Sequence, residues 1–231
     1  MKVTVIGMIY KSIQYLDFMI EQFNKYRPSP YLSDYICDLL IIANDASQEI
    51  LDRLDEIGVD YIDYKDPIPS DYYLDRVYRA WNYAGQNVDS DIFIFINSDM
   101  GFSPKWIENL IRNLNENTIP CSRLVESGKL VSGDHAISKN FGKSPQEYKE
   151  EEFIKFIKEL SYPGTAEGGL FMPCAFYKDD FLESGGYPEG NVGKESGDHY
   201  FFYKNPIMEK KQHITVYNSL VYHIQEGELD D

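Results

Sequence analysis

DIFIFINSDM, residues 91–100, decides the fold. Its five consecutive apolar residues are too few for a buried helix. They are β-branched or aromatic, so the run reads as a strand covered on both faces. Strands of this kind belong to parallel sheets, where ligands sit beyond the carboxyl ends. Asn97, Ser98 and Asp99 fall at such an end.

Toward the N-terminus the same reading repeats. Residues 3–6 form a short apolar run, and Ile13, Leu16, Met19, Ile20 and Phe23 then recur at helical spacing. Residues 38–43 form the next buried strand and lead through Asn44, Asp45, Ala46 and Ser47 into a helix carrying Ile50, Leu54 and Ile57, with Gly58 as its stop. Residues 59–62 are read as a third strand, followed by a helix with Leu74, Val77, Trp81 and Ala84 on one face. After residue 100, Ser103 at the N-cap and Pro104 at the first helical position are expected to open a helix whose inner stripe is Trp106, Ile107, Leu110 and Leu114. Four strand-helix units in a row imply right-handed crossovers and a mostly parallel sheet with helices on both faces.

The second half changes character. Residues 124–132 and 169–177 are expected as strands, and Ser144-Pro145 as the cap of a helix carrying Tyr148, Phe153, Phe156, Ile157 and Leu160. The acidic residues 147–152 are read as the solvated face of that helix, and residues 214–222 as the last strand. No repeat or linker divides the chain, so a single α/β domain over 1–231 is expected, with halves at 1–120 and 121–231.

With 22 Lys+Arg against 38 Asp+Glu in 231 residues, the formal charge is −16. Such a surface excludes binding to nucleic acid or an anionic membrane through a general positive field. At 43% hydrophobic and 15% aromatic, the chain is also too apolar for disorder. Cys37, Cys121 and Cys174 are odd in number and lack CxxC spacing, which points to neither a disulfide framework nor a thiolate metal site. Lys11, Gln14, Asp17 and Glu21 break up the N-terminal apolar stretch, so a cytoplasmic protein with no membrane span is expected.

The strand ends lack GxGxxG and GxxxxGK[ST], which removes the main support for dinucleotide-dehydrogenase and P-loop readings. Two of them carry amide-acid pairs instead, Asn44/Asp45 and Asn97/Asp99. An anionic site of this kind suits a phosphorylated ligand when a divalent cation, Mn²⁺ or Mg²⁺, bridges carboxylate and phosphate. Each residue also has a plain structural role open to it. Asp45 with Gln48 can cap the second helix, Asn97 and Asp99 can be turn residues, Asp198 can cap a helix, and His223 can be a partly buried imidazole.

In order, YKS, IIANDAS, FINSDM, GGLFMP, ESGGYPEG, SGDHYFF and VYHIQEGE resemble a family 2 glycosyltransferase of the GT-A fold, across almost the whole chain. The resemblance implies a Rossmann-like nucleotide-binding half and a mixed acceptor-binding half. By it, Ile9, Tyr10 and Asp45 hold the nucleobase and ribose. Asn97-Ser98-Asp99 stands at the DxD motif with Asn for the first Asp, and Asp99 and His223 serve the metal. Asp198 is the general base, although the acid that precedes it in the family is Gly197 here. Asn82 matches one member of an Arg-Asn pair, Trp81 stands at the Arg position, and Arg76 and Arg79 lie nearby on the same helix. Gly168 and Gly169 would let the sugar and acceptor approach the backbone. The implied reaction is inverting transfer of a hexose or deoxyhexose from a nucleotide-diphosphate sugar to a hydroxyl of a glycan or other acceptor, with Mn²⁺ or Mg²⁺. The alternatives are a retaining transferase and a nucleotide-sugar binding protein without turnover.

Overall fold

The computed structural model describes residues 1–29, 34–68, 73–128, 135–160, 162–169, 172–189 and 196–225. The first half alternates β1 (Lys2–Ile9), α1 (Ile13–Tyr26), β2 (Ile36–Asn44), α2 (Gln48–Ile57), β3 (Tyr61–Tyr64), α3 (Tyr73–Asn87) and β4 (Ile92–Ile96). Then come β5 (Met100–Phe102), α4 (Trp106–Asn113), β6 (Thr118–Glu126), β7 (Ile137–Ser138), α5 (Glu150–Leu160), β8 (Thr165–Glu167) and β9 (Cys174–Tyr177). The final elements are α6 (Lys178–Ser184), α7 (Gly197–Tyr203) and β10 (Gln212–His223).

One sheet runs β3-β2-β1-β4-β9-β6-β10-β5, with β7 beside β6 and β8 beside β10. The strands β3, β2, β1 and β4 are parallel, as their apolar runs require. β9 enters antiparallel between β4 and β6, while β5 and β8 run antiparallel to β10, which makes the second half mixed. Helix ends follow local chemistry: Ser12 and Ser47 accept from the third backbone N–H of α1 and α2, and Gly58 at φ 72° closes α2. At the centre, Phe95 packs within 6 Å of Trp81, Phe176 and Phe181. No helix among the described residues is long and apolar enough to cross a membrane.

Several boundaries differ from the sequence reading. The third strand begins two residues late, because Tyr61 is the residue that pairs with Ile41. Ser103 does not cap α4. The chain stays extended through β5, and Lys105 in the left-handed region (φ 66°) starts the helix with no side-chain cap. Ser144 caps a three-residue turn at Pro145–Glu147, and α5 starts only at Glu150. β6 covers Thr118–Glu126, earlier than expected, and residues 129–132 of the anticipated strand lie outside those described. Residues 169–177 are not one strand: Gly168 and Gly169 adopt positive φ, residues 170–171 lie outside those described, and among the described residues only Cys174–Tyr177 pair as β9. Glu150 is no solvated charge either, since Gln22, Lys25 and Tyr26 of α1 all donate to it.

Candidate active site

A cavity of about 530 Å³ opens beyond the carboxyl ends of β1, β2 and β4, beside the end of β10. Parallel pairing brings the first three ends level, with Ile9 opposite Ala43 and Gly7 opposite Ile96. Tyr10, Asn44, Asn97 and Asp99 therefore reach the cavity directly from strand ends. Tyr10 is 41% exposed, with the Arg76 guanidinium 5.4 Å from its ring centre.

Asp45 has φ 51°, and its carboxylate accepts from Arg76 Nη2 (2.8 Å) and the Asp66 N–H (3.1 Å). The capping role open to it is not used: Ser47 caps α2, and Gln48 donates to Asp52. Arg76 lines the cavity. Arg79, less than one turn further along α3, is only 9% exposed and is spent on Asp66 and Glu189. Of the two arginines near position 81, Arg76 therefore lines the cavity and Arg79 does not.

Asp99 is 5% exposed. Its Oδ2 accepts from the Gln225 N–H (3.2 Å) and lies 3.3 Å from His223 Nε2, while its main-chain oxygen accepts from the Ile224 N–H. On the far side of the ring, His223 Nδ1 meets Glu126 Oε1 at 3.2 Å. Burial pushes the imidazole pKa down, but the two carboxylates outweigh it and raise the pKa to about 10. Glu126, fully buried at the end of β6, is a site residue to which sequence reasoning gave no role, as is Tyr78 in the cavity wall. The one signal for Glu126 is a charge at the close of an apolar strand.

Asp198 is the second residue of α7 and lines the same cavity as Asp99 and His223. Its N–H donates to Tyr78 Oη (3.2 Å), and its Oδ1 accepts from the His199 N–H. The structure therefore gathers Tyr10, Asn97, Asp99, Asp198 and His223 around one space. Four expected residues do not line it. Asp45 stands behind Arg76, whose guanidinium it accepts from. Ile9 is fully buried in the ladder. Asn82 uses both ends of its amide on the Tyr187 main chain, at 2.7 and 2.8 Å, because the turn at Gly185 and Gly186 brings that backbone against α3. Gly169, at φ +130°, lies so close to β10 that a Cβ there would collide with Thr215 Oγ1.

For a divalent ion, which would displace the Nε2 proton, Asp99 and His223 offer an oxygen and a nitrogen side by side, with Nδ1 of the imidazole already engaged by a carboxylate. That is the arrangement that orients a metal-ligating histidine. Among the described residues no group of three or more His, Cys, Asp or Glu could hold a metal by itself. Two protein ligands fit Mn²⁺ or Mg²⁺ when a bound phosphate and water complete the shell.

No curated protein sequence matches the chain. Solved structures do match: GalNAc-T7 with UDP, GalNAc and Mn²⁺ (15% identity, TM-score 0.61, covering 96% of this chain and 43% of that one). So does the mannosyltransferase PcManGT from Pyrobaculum calidifontis in complex with GDP-Man and Mn²⁺ (12%, 0.59, 96% and 56%). A third is S. aureus TarS 1-349 (11%, 0.56, 100% and 67%). At these identities the likeness establishes the GT-A fold, and the chain spans roughly half to two thirds of the structures it resembles. The family described as Glycosyl transferase family 2 matches residues 4–185, most of the chain and the ends of β1, β2 and β4. The protein belongs to glycosyltransferase family 2.

Proposed function

We propose that the chain transfers a hexose or deoxyhexose from a nucleotide-diphosphate sugar to a hydroxyl of a glycan or other acceptor, with inversion, in the cytoplasm. The observation that carries this reading is the meeting of Asp99, His223 and Asp198 on one cavity whose other wall bears Tyr10 and Arg76. Residues 1–120 then serve the donor and residues 121–231 the acceptor.

Tyr10 offers the exposed ring face for the nucleobase, and Arg76, steadied by Asp45, sets positive charge beside a phosphorylated ligand in an otherwise acidic protein. Asp99 and His223 would hold Mn²⁺ or Mg²⁺. Such an ion, when bound, offsets charge on the diphosphate leaving group. Asp198, a half-buried carboxylate facing the same space, takes the proton of the attacking hydroxyl. One base and one displacement give inversion at the anomeric carbon.

A thermal-shift screen of UDP-, GDP- and dTDP-sugars with and without Mn²⁺ tests the donor side, since a ligand at one hundred times its Kd adds about 2.7 kcal/mol. Absence of any metal-dependent shift would remove the reading. Asp198→Asn should abolish transfer and keep nucleotide binding, and the anomeric NMR signal of the product distinguishes inversion from retention. Asn97 in place of an acid, and Gly197 before Asp198, favour one competitor: a nucleotide-sugar binding protein that shows the shift but no turnover.

A further inference from the structure

Helix α7 starts without the usual device. Ser196 stands at its N-cap but makes no side-chain cap bond, and the first backbone N–H groups of any helix lack intrahelical partners. The Asp198 N–H is met instead by the phenol of Tyr78, 120 residues earlier on α3. Tyr78 is 2% exposed and lines the cavity, so this hydroxyl is held inside the site.

Two further contacts fix the same geometry. The Tyr78 ring stacks on Tyr187 at 5.3 Å and 4°, and Tyr187 stacks in turn on Phe201 of α7 at 4.2 Å. The Tyr187 main chain is gripped by Asn82, one turn beyond Tyr78 on α3. A Cβ at Gly186 would collide with that Asn82 side chain, so the approach is as close as backbone allows. The helix that presents Arg76 to the donor thus also holds the start of the helix that carries Asp198.

We infer that Tyr78 is a positioning residue for Asp198: its hydroxyl fixes the N-terminus of α7 and thereby aims the carboxylate across the cavity. This rests on the reading of Asp198 as the base. The ring contacts supply packing, and the hydroxyl supplies direction. The two are separable, because Tyr78→Phe keeps the stack and removes only Oη.

The test compares wild type, Tyr78→Phe and Asp198→Asn. Substrate-free NMR measures amide exchange at Asp198, which should be protected in wild type and about tenfold faster or more in Tyr78→Phe, as loss of one hydrogen bond worth about 1.4 kcal/mol predicts. The Phe201 and Phe202 amides should be unchanged. Nucleoside diphosphate release from a panel of UDP-, GDP- and dTDP-hexoses should show kcat lowered about 10- to 100-fold in Tyr78→Phe, with donor KM and UDP affinity held. A merely structural role would lower thermal stability and leave kcat of the folded enzyme intact. Unchanged Asp198 exchange in Tyr78→Phe overturns the inference, whatever the turnover. If Asp198→Asn is inactive while Tyr78→Phe keeps wild-type kcat, the inference alone falls. If Asp198→Asn turns over normally, the base assignment falls and takes this inference with it.

Discussion

The two halves of the molecule bring residues to the cavity by different means. In the first half the backbone does it: parallel pairing of β1 with β2 and β4 sets Tyr10, Asn44 and Asn97 at one edge, and main-chain bonds hold the register. In the second half, side-chain bonds across more than ninety residues do it, with Tyr78 to Asp198, Asn82 to Tyr187 and Glu126 to His223 as the ties. Ladders distribute their load over many bonds. Long-range side-chain ties concentrate it in a few, so single substitutions should separate the halves.

The largest effect is expected where one residue serves both. Arg79 joins Asp66 in the first half to Glu189 in the second, and its side chain and that of Asp66 are 9% and 4% exposed. Arg79→Ala strands a buried carboxylate and should cost about 3–5 kcal/mol in urea unfolding. A loss under 1 kcal/mol would mean that the halves are joined elsewhere. Next comes Glu126→Gln, which touches only the second half. It should weaken Mn²⁺ binding, followed by calorimetry with UDP present, about tenfold or more.

Arg76→Ala sharpens the contrast on a single helix. Its pair with Asp45 is about 30% exposed on either side, so unfolding should shift by less than about 1 kcal/mol, with nucleotide affinity reduced. A stability loss matching that of Arg79→Ala would erase the distinction between rim and interior charge. The smallest effect is one of pH. Burial raises the Glu150 carboxyl, but bonds from Lys25, Tyr26 and Gln22 outweigh it and hold the group below its usual 4.5. A carboxyl depressed on folding stabilises at pH above its unfolded value, and that contribution fades as pH falls through the folded value. Glu150→Gln should therefore narrow the gap in melting temperature between pH 7 and pH 3.

The same contrast decides what was legible in the sequence. Residues 3–6, 38–43 and 91–96 announce themselves because strands buried on both faces must be continuously apolar. The loops after them follow by position, which is why Tyr10, Asn97 and Asp99 could be placed. β5 escaped notice because three residues, Met100–Phe102, are too few to show a period, and its omission moved the start of α4 onto Ser103. Asp198 and His223 were found through their motif, not their pattern. Glu126 could not be read, nor could the tie that commits Asn82 to Tyr187: the partners lie about one hundred residues away, and nothing local distinguishes a buried tie from a surface polar group.

The short strand β5 has a consequence for timing. It pairs antiparallel with the last three residues of β10, and Asp99 takes its partners from Ile224 and Gln225, the latter 126 residues downstream. A ribosome building this chain releases the first-half strands long before those partners exist. Nascent chains therefore carry Asp99 without His223 beside it, and the two meet only when β10 slots between β6 and β5. Contacts so distant in sequence form slowly. Activity should consequently appear as the final event of folding, well after the parallel sheet of the first half has taken shape.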